Sequence, residues 1–324
     1  MEVNPLMFRQ VIIPLDGSAL AECSLPHAVA FARAFGAPIV LLRVVVPPVQ
    51  EGIRRAAAPF RWQLRKAEAA AYLGQTAKRL TDLGLEVSSE LDEGDAAERI
   101  LGFTGEQGDV LLVMSSHGAS GLSEWNISSV VQKVVFHAYT PTLIVRAYRS
   151  NPVDLVDLRY DRILVPIDGS RRAELALPYA ATLAEAHDST LLLTSVVGQP
   201  KTPGRLPLTE SERSVLDRLM ESTREDAADY LRHLTQHFSG NVETRVLLDE
   251  DVAYALHTYA EQTEADLVVL SAHGHTGASR WPFGSVALNF IAFGTTPLLI
   301  VQDVAPPDTA TTVSVRAAER PKQH

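Results

Sequence analysis

Continuous apolar runs alternate with amphipathic stretches along this chain, and the alternation occurs twice. Val11-Ile12-Ile13-Pro14-Leu15-Asp16-Gly17-Ser18 returns as Ile163-Leu164-Val165-Pro166-Ile167-Asp168-Gly169-Ser170, each followed by an alanine-rich amphipathic stretch. Ile39 to Val46 is matched with Thr190 to Val197, Ser115-Ser116-His117-Gly118 with Ser271-Ala272-His273-Gly274, and Thr140 to Val145 with Thr296 to Val301. Helical periods fall between the runs, at Ala19 to Phe35, about Phe60 to Leu83, Asp95 to Glu106 and Ile127 to Ala138. Apolar runs that do not alternate with polar residues predict strands buried on both faces, as in a mostly parallel sheet covered by helices. The expected fold is therefore α/β, with two tandem doubly wound domains.

The segment 150–158, with Asn-Pro and mixed polar residues, reads as a linker between a first domain (1–149) and a second (159–303). Beyond Asp303 a polar, charged run (304–324) reads as a mobile tail, and the Pro- and Gly-containing stretches 47–59 and 198–207 as long loops or lids.

Length and composition agree with this organisation. The 324 residues exceed one hydrophobic core, and 46% hydrophobic with 21% charged residues is a globular balance. A net charge of -10 argues against nucleic acid and anionic lipid as partners, and no apolar run is long enough to span a membrane. The single cysteine, Cys23, cannot close an internal disulfide; a cytoplasmic location is expected, with Cys23 as a packing residue in the first helix.

In open parallel sheets, ligands bind beyond the carboxyl ends of the strands, where strand order reverses. Asp16 and Asp168 fall at such ends. Each could accept hydrogen bonds from a sugar or a base, or cap the following helix together with Ser18 or Ser170. In the second copy, Gly274 is followed by nine residues and then by Gly284-Ser285, which opens a helix. Glycines that allow close approach, helix-terminal amides and the Ser285 hydroxyl together suit a phosphate.

At these residues the chain resembles tandem universal stress proteins, whose nucleotide-binding members carry Gly-x2-Gly-x9-Gly-Ser/Thr. The resemblance spans nearly everything from Arg9 to Gln302. It implies a five-stranded parallel sheet in each copy and ATP, with or without Mg2+, between the loops after strands one and four. It implies nucleotide contacts at Pro166, Ile167, Asp168, Val196, Ser271, Gly274, Gly284, Ser285 and Val286 in the second copy. Their first-copy counterparts are Pro14, Leu15, Asp16, Val44, Ser115, Gly118, Ser128 and Ser129. It also implies that the domains pair through their last strands within one chain, and that chains can associate further as homodimers.

Both copies depart from the pattern. Ser271 replaces the first motif glycine in the second copy; the first copy has Ser115 there and also Ser128 in place of Gly284, which predicts a less permissive loop. Arg280 in the second copy is answered by Glu124 in the first, exchanging a phosphate partner for a like charge. The second copy is accordingly the favoured site. The reading is a stress-response protein that uses adenine nucleotide as a regulatory ligand, with a nucleotide-independent scaffold for protein partners as the alternative.

Other chemistries find less support. The loops lack the lysine of a P-loop NTPase, and Ser271 with His273 has no nucleophile elbow around it, so no catalytic residue is assigned. His233 and His237 have helical metal-ligand spacing without a third ligand, so no metal site is assigned either. Trp62, Trp125 and Trp281 are too dispersed for a stacking platform.

Overall fold

The computed structural model describes residues 7–47, 58–119, 121, 127–147, 154–155, 158–198, 209–275 and 282–303. Most of the expected linker, both long loops, the tail, and the residues Glu124, Trp125, Arg280 and Trp281 lie outside the described residues.

In the first domain, β1 (Gln10–Pro14), β2 (Ile39–Val45), β3 (Val87–Glu93), β4 (Val110–Ser115) and β5 (Thr142–Val145) form a parallel array ordered 3-2-1-4-5. In the second, β6 (Arg162–Pro166), β7 (Thr190–Val197), β8 (Asn241–Leu248), β9 (Leu267–Ser271) and β10 (Leu298–Val301) repeat it as 8-7-6-9-10. The five-stranded parallel arrays are as expected, and so is their pairing through the last strands within the chain. β5 pairs antiparallel with β10, so one ten-stranded sheet runs through the molecule and the last strands cover each other's edges. The outer strands β3 and β8 are largely exposed and rich in charge, which discourages further edge pairing. The sheet register also corrects one match by a residue. Ile39 and Leu191 hold equivalent places beside β1 and β6, so Arg43 corresponds to Ser195 and Val44 to Val196.

The first predicted helix is two: α1 (Ala19–Glu22) and α2 (Ser24–Phe35). Pro26 explains the break, since it has no N–H to give the Glu22 carbonyl four residues earlier. Pro178 acts alike in the second domain, where a 3-10 turn (Ala173–Ala176) precedes α6 (Leu177–His187). The remaining helices are α3 (Ala58–Thr81), α4 (Ala96–Gln107), α5 (Ser129–His137), α7 (Glu210–Thr235), α8 (Val252–Gln262) and α9 (Ser285–Phe293), which cover both faces of the sheet.

Each hydrophobic cluster contains residues of both domains. On one face Phe8, Phe31 and Phe35 meet Tyr160 and Tyr179, and Tyr160 Oη lies 2.7 Å from His27 Nδ1. On the other, Phe136 meets Phe283 edge-on, and Arg146 donates to the Phe290 and Ile291 carbonyls at 2.6 and 3.2 Å near the end of α9. Among the described residues no helix is long and apolar enough to cross a membrane.

Candidate functional site

Strand order reverses between β1 and β4, and again between β6 and β9, and a cleft opens beyond the carboxyl ends of each pair. All nine second-copy residues singled out from the sequence line one cleft. Pro166 ends β6 and Ile167 and Asp168 follow it, Val196 sits on β7, Ser271 ends β9 with Gly274 beyond it, and Gly284, Ser285 and Val286 open α9. The eight first-copy residues line the other, with Pro14 ending β1 and Leu15 and Asp16 after it, Val44 on β2, Ser115 ending β4 and Gly118 beyond it, and Ser128 and Ser129 opening α5. The clefts hold about 640 Å³ in the second domain and 810 Å³ in the first, so size does not favour the second.

The turn after the first strand of each domain is built the same way. Gly17 and Gly169 both have φ of 81°, a left-handed conformation that admits glycine readily. This swings the preceding aspartate toward the fourth-strand loop. Asp16 accepts from the Ser18 amide and hydroxyl at 2.9 and 2.6 Å and from the Ala119 amide at 2.5 Å. Asp168 accepts from the Ser170 amide at 3.0 Å and the His275 amide at 2.6 Å. Neither aspartate caps a helix. Ser18 is the N-cap of α1 and accepts from Ala21 N; Ser170 likewise accepts from Ala173 N. Burial pushes the Asp168 carboxyl upward, but hydrogen bonds from Ser170 and His275 outweigh it and hold the group below its ordinary value. The ionised Asp168 carboxylate disfavours a phosphate immediately beside it in the second-domain cleft.

Gly118 and Gly274 owe their identity to these carboxylates. A Cβ on either would collide with the nearest aspartate oxygen, Asp16 Oδ2 or Asp168 Oδ2. Gly284 is a different case. Its φ and ψ of −71° and 167° are ordinary extended values, and Ser128 takes −71° and 161° at the same place. The expectation that serine makes the first-domain loop less permissive is therefore corrected, because the backbone is the same. What changes is the side chain. Ser128 Oγ accepts from Val131 N at 3.3 Å and occupies one of the first-turn donors of α5, whereas no side chain caps α9.

The serines that replace the first motif glycine also differ. Ser115 Oγ donates to the His117 carbonyl at 2.7 Å and lies 3.5 Å from Cys23 Sγ. Ser271 is 8% exposed, lines its cleft, and its hydroxyl has no hydrogen-bond partner among the described residues. A buried hydroxyl without a partner is costly and calls for a ligand group or water. It also shows that Ser271 is not bonded to His273 as a nucleophile to its base. Behind the second loop, His273 Nδ1 lies 2.7 Å from Asp303 Oδ1, whose carboxylate is fully buried and lies 3.4 Å from Arg172 Nε. In the first domain His117 meets Ser116 Oγ instead, at 3.1 Å. Sequence reading missed this buried pair, since thirty positions separate its members; the unmatched Asp303 opposite Ala147 was the available signal.

Half-buried Cys23 packs in place, and burial raises its thiol pKa. Among the described residues no three metal-binding side chains gather; His233 and His237 stack edge-on without a third.

The model of the universal stress protein family matches residues 7–146 and 159–302. A universal stress protein of Mycolicibacterium smegmatis is 24% identical over 305 residues, 90% of this chain and 96% of its own length. Universal stress protein MJ0531 of Methanocaldococcus jannaschii is 28% identical over 144 residues, covering 43% of this chain and 83% of its own. The crystal structure of a universal stress protein from Archaeoglobus fulgidus has a TM-score of 0.62 at 18% identity, covering 91% of this chain and 99% of that one. With both halves matched by the family model and 90% of the chain aligned with one relative, the chain belongs to the universal stress protein family and carries two of its units in tandem.

Proposed function

We propose that the protein is a cytoplasmic regulator of the stress response that binds adenine nucleotide, ATP above all, in its second domain. The observation that carries this reading is the open valence of the second cleft. Among the described residues Ser271 presents a buried hydroxyl without a partner, and α9 begins with amides that no side chain caps. Such a helix start favours an anion through its free donors and partial positive charge. Pro166, Ile167 and Val196 supply an apolar wall suited to a base, and Asp168 a fixed acceptor for the nucleoside. Phosphate would be held by Ser271, Gly274, Gly284 and Ser285, and Mg2+ arriving with ATP would be bound largely through phosphate oxygens.

Binding rather than turnover is the role assigned. The histidine beside the loop is buried against Asp303, and Asp168 is already engaged by two amides, so neither is placed as a free general base. Occupancy would then be read by protein partners. In the first domain Ser115 and Ser128 are satisfied internally, so that cleft offers fewer open donors and is read as the secondary, weaker nucleotide site.

Native mass spectrometry across an ATP titration tests the reading. One nucleotide per chain is expected at low ATP, lost in Gly284→Leu, whose side chain would stand over the Ala272–Gly274 backbone. Unchanged occupancy in that variant would remove the second domain as the site.

A further inference from the structure

Beside the first-domain cleft, and sharing Asp16 and Val44 with it, lies a second hollow bordered by Gly17, Arg43, Arg65, Glu68 and Tyr72. Arg43 projects from β2 against the Gly17 backbone, where an added Cβ would strike its guanidinium, and its Cζ lies 5.3 Å from the centre of the Tyr72 ring. Its Nε and Nη1 are buried and have no hydrogen-bond partner among the described residues. A guanidinium withdrawn from water without an acceptor is expensive, and a cation–π contact repays part of that cost only.

The nearby described carboxylates are committed elsewhere. Asp16 is engaged by Ser18 and Ala119, Glu22 pairs with Arg79 at 3.0 Å, and Glu93 with Lys66 at 3.0 Å. Exposed Glu68 remains at the border, opposite exposed Arg65. The second domain has no equivalent, because Ser195 occupies the place of Arg43.

We propose that Arg43 and Arg65 form a phosphoryl subsite at the nucleoside end of the first-domain cleft. That domain would accept adenine nucleotides phosphorylated on the ribose ring as well as at the 5′ position. The planar, forked guanidinium suits a phosphoryl group and discriminates against a ribose without one. The inference rests on reading the first-domain cleft as a nucleotide site, with Asp16 and Val44 toward the nucleoside and the α5 start toward the 5′ phosphate. The two domains would thereby distinguish two classes of nucleotide.

Isothermal titration of the full chain with adenosine 3′,5′-bisphosphate, AMP and inorganic phosphate tests it. The bisphosphate should show a component about tenfold tighter than any AMP component, which Arg43→Ser removes while AMP binding stays unchanged. Arg65→Ala, at an exposed position, should weaken that preference with no effect on the fold, which guards against misfolding of the Arg43 variant. Equal affinity for AMP and bisphosphate, or a preference that survives Arg43→Ser, overturns the inference while leaving nucleotide binding intact. Arg43-dependent binding of inorganic phosphate as tight as the bisphosphate overturns the nucleotide assignment in favour of a free-anion site. Absence of any nucleotide binding overturns both this inference and the functional reading beneath it.

Discussion

The two domains share strand order, the left-handed glycine after the first strand, and an aspartate held against the fourth-strand loop, yet they finish that loop in opposite ways. In the first, Ser115 and Ser128 turn their hydroxyls back onto the protein; in the second, Ser271 has no partner among the described residues and Gly284 leaves α9 uncapped. The difference shows that backbone geometry, nearly identical at Ser128 and Gly284, does not by itself tell the two loops apart. The distinction lies in which donors and hydroxyls the protein has left unsatisfied.

The largest effect should come from the buried Asp303 carboxylate behind the second-domain loop, which has no counterpart among the described residues of the first domain. Asp303→Ala removes the buried carboxylate that both His273 and Arg172 contact and should cost about 1–3 kcal/mol. Amide hydrogen exchange should show lost protection in β6 and β9, with β1 and β4 preserved. Equal loss in both domains would mean that the shared sheet couples them too tightly for the halves to be treated separately.

Acid should act next, through the seam between the domains. Burial holds His27 at a pKa of about 4, below the 6.5 expected when unfolded, so the unfolded chain binds more protons between those values. The stability from neutral His27 is complete above about pH 6.5 and declines as pH falls toward 4. Thermal unfolding across that window should show a slope that His27→Gln reduces; an unchanged slope would place the acid sensitivity elsewhere.

How much of this was legible beforehand depends on range. The tandem repeat and the parallel strands follow from local apolar runs, and Asp16, Asp168, Gly274, Gly284 and Ser285 from strand ends and glycine spacing, which act over a few residues; the other cleft-lining residues came only from the resemblance to universal stress proteins. The break at Glu22, a consequence of Pro26 four residues on, was equally local but was read through. Fusion into one sheet rests on two four-residue strands far apart in the chain, and was expected from the family resemblance rather than from any local pattern. The His273–Asp303 pair, the unpartnered Ser271 and the withdrawn Arg43 depend on packing, which no spacing in one sequence specifies.

Exchanging the cap residues sharpens the comparison further. Gly284→Ser should change stability by only a few tenths of a kcal/mol, since the backbone already fits serine, but lower second-domain ATP affinity about tenfold. Ser128→Gly should raise ATP affinity in the first domain. Equilibrium dialysis reads both, and parallel changes in the two variants would contradict the role given to the cap.

The smallest effects concern the paired serines. Ser115→Ala should cost about 1 kcal/mol through loss of its bond to His117, whereas Ser271→Ala should leave the ligand-free protein as stable or more so. With ATP present, the Ser271 variant should bind severalfold more weakly in the same dialysis assay.

The central claim, that the second domain takes ATP first, is tested most directly by photolabelling the full chain with 8-azido-ATP at limiting concentration and mapping the modified peptides. The account predicts label within residues 159–303, displaced by unlabelled ATP. Label confined to 1–149, or divided equally between the halves, would contradict it.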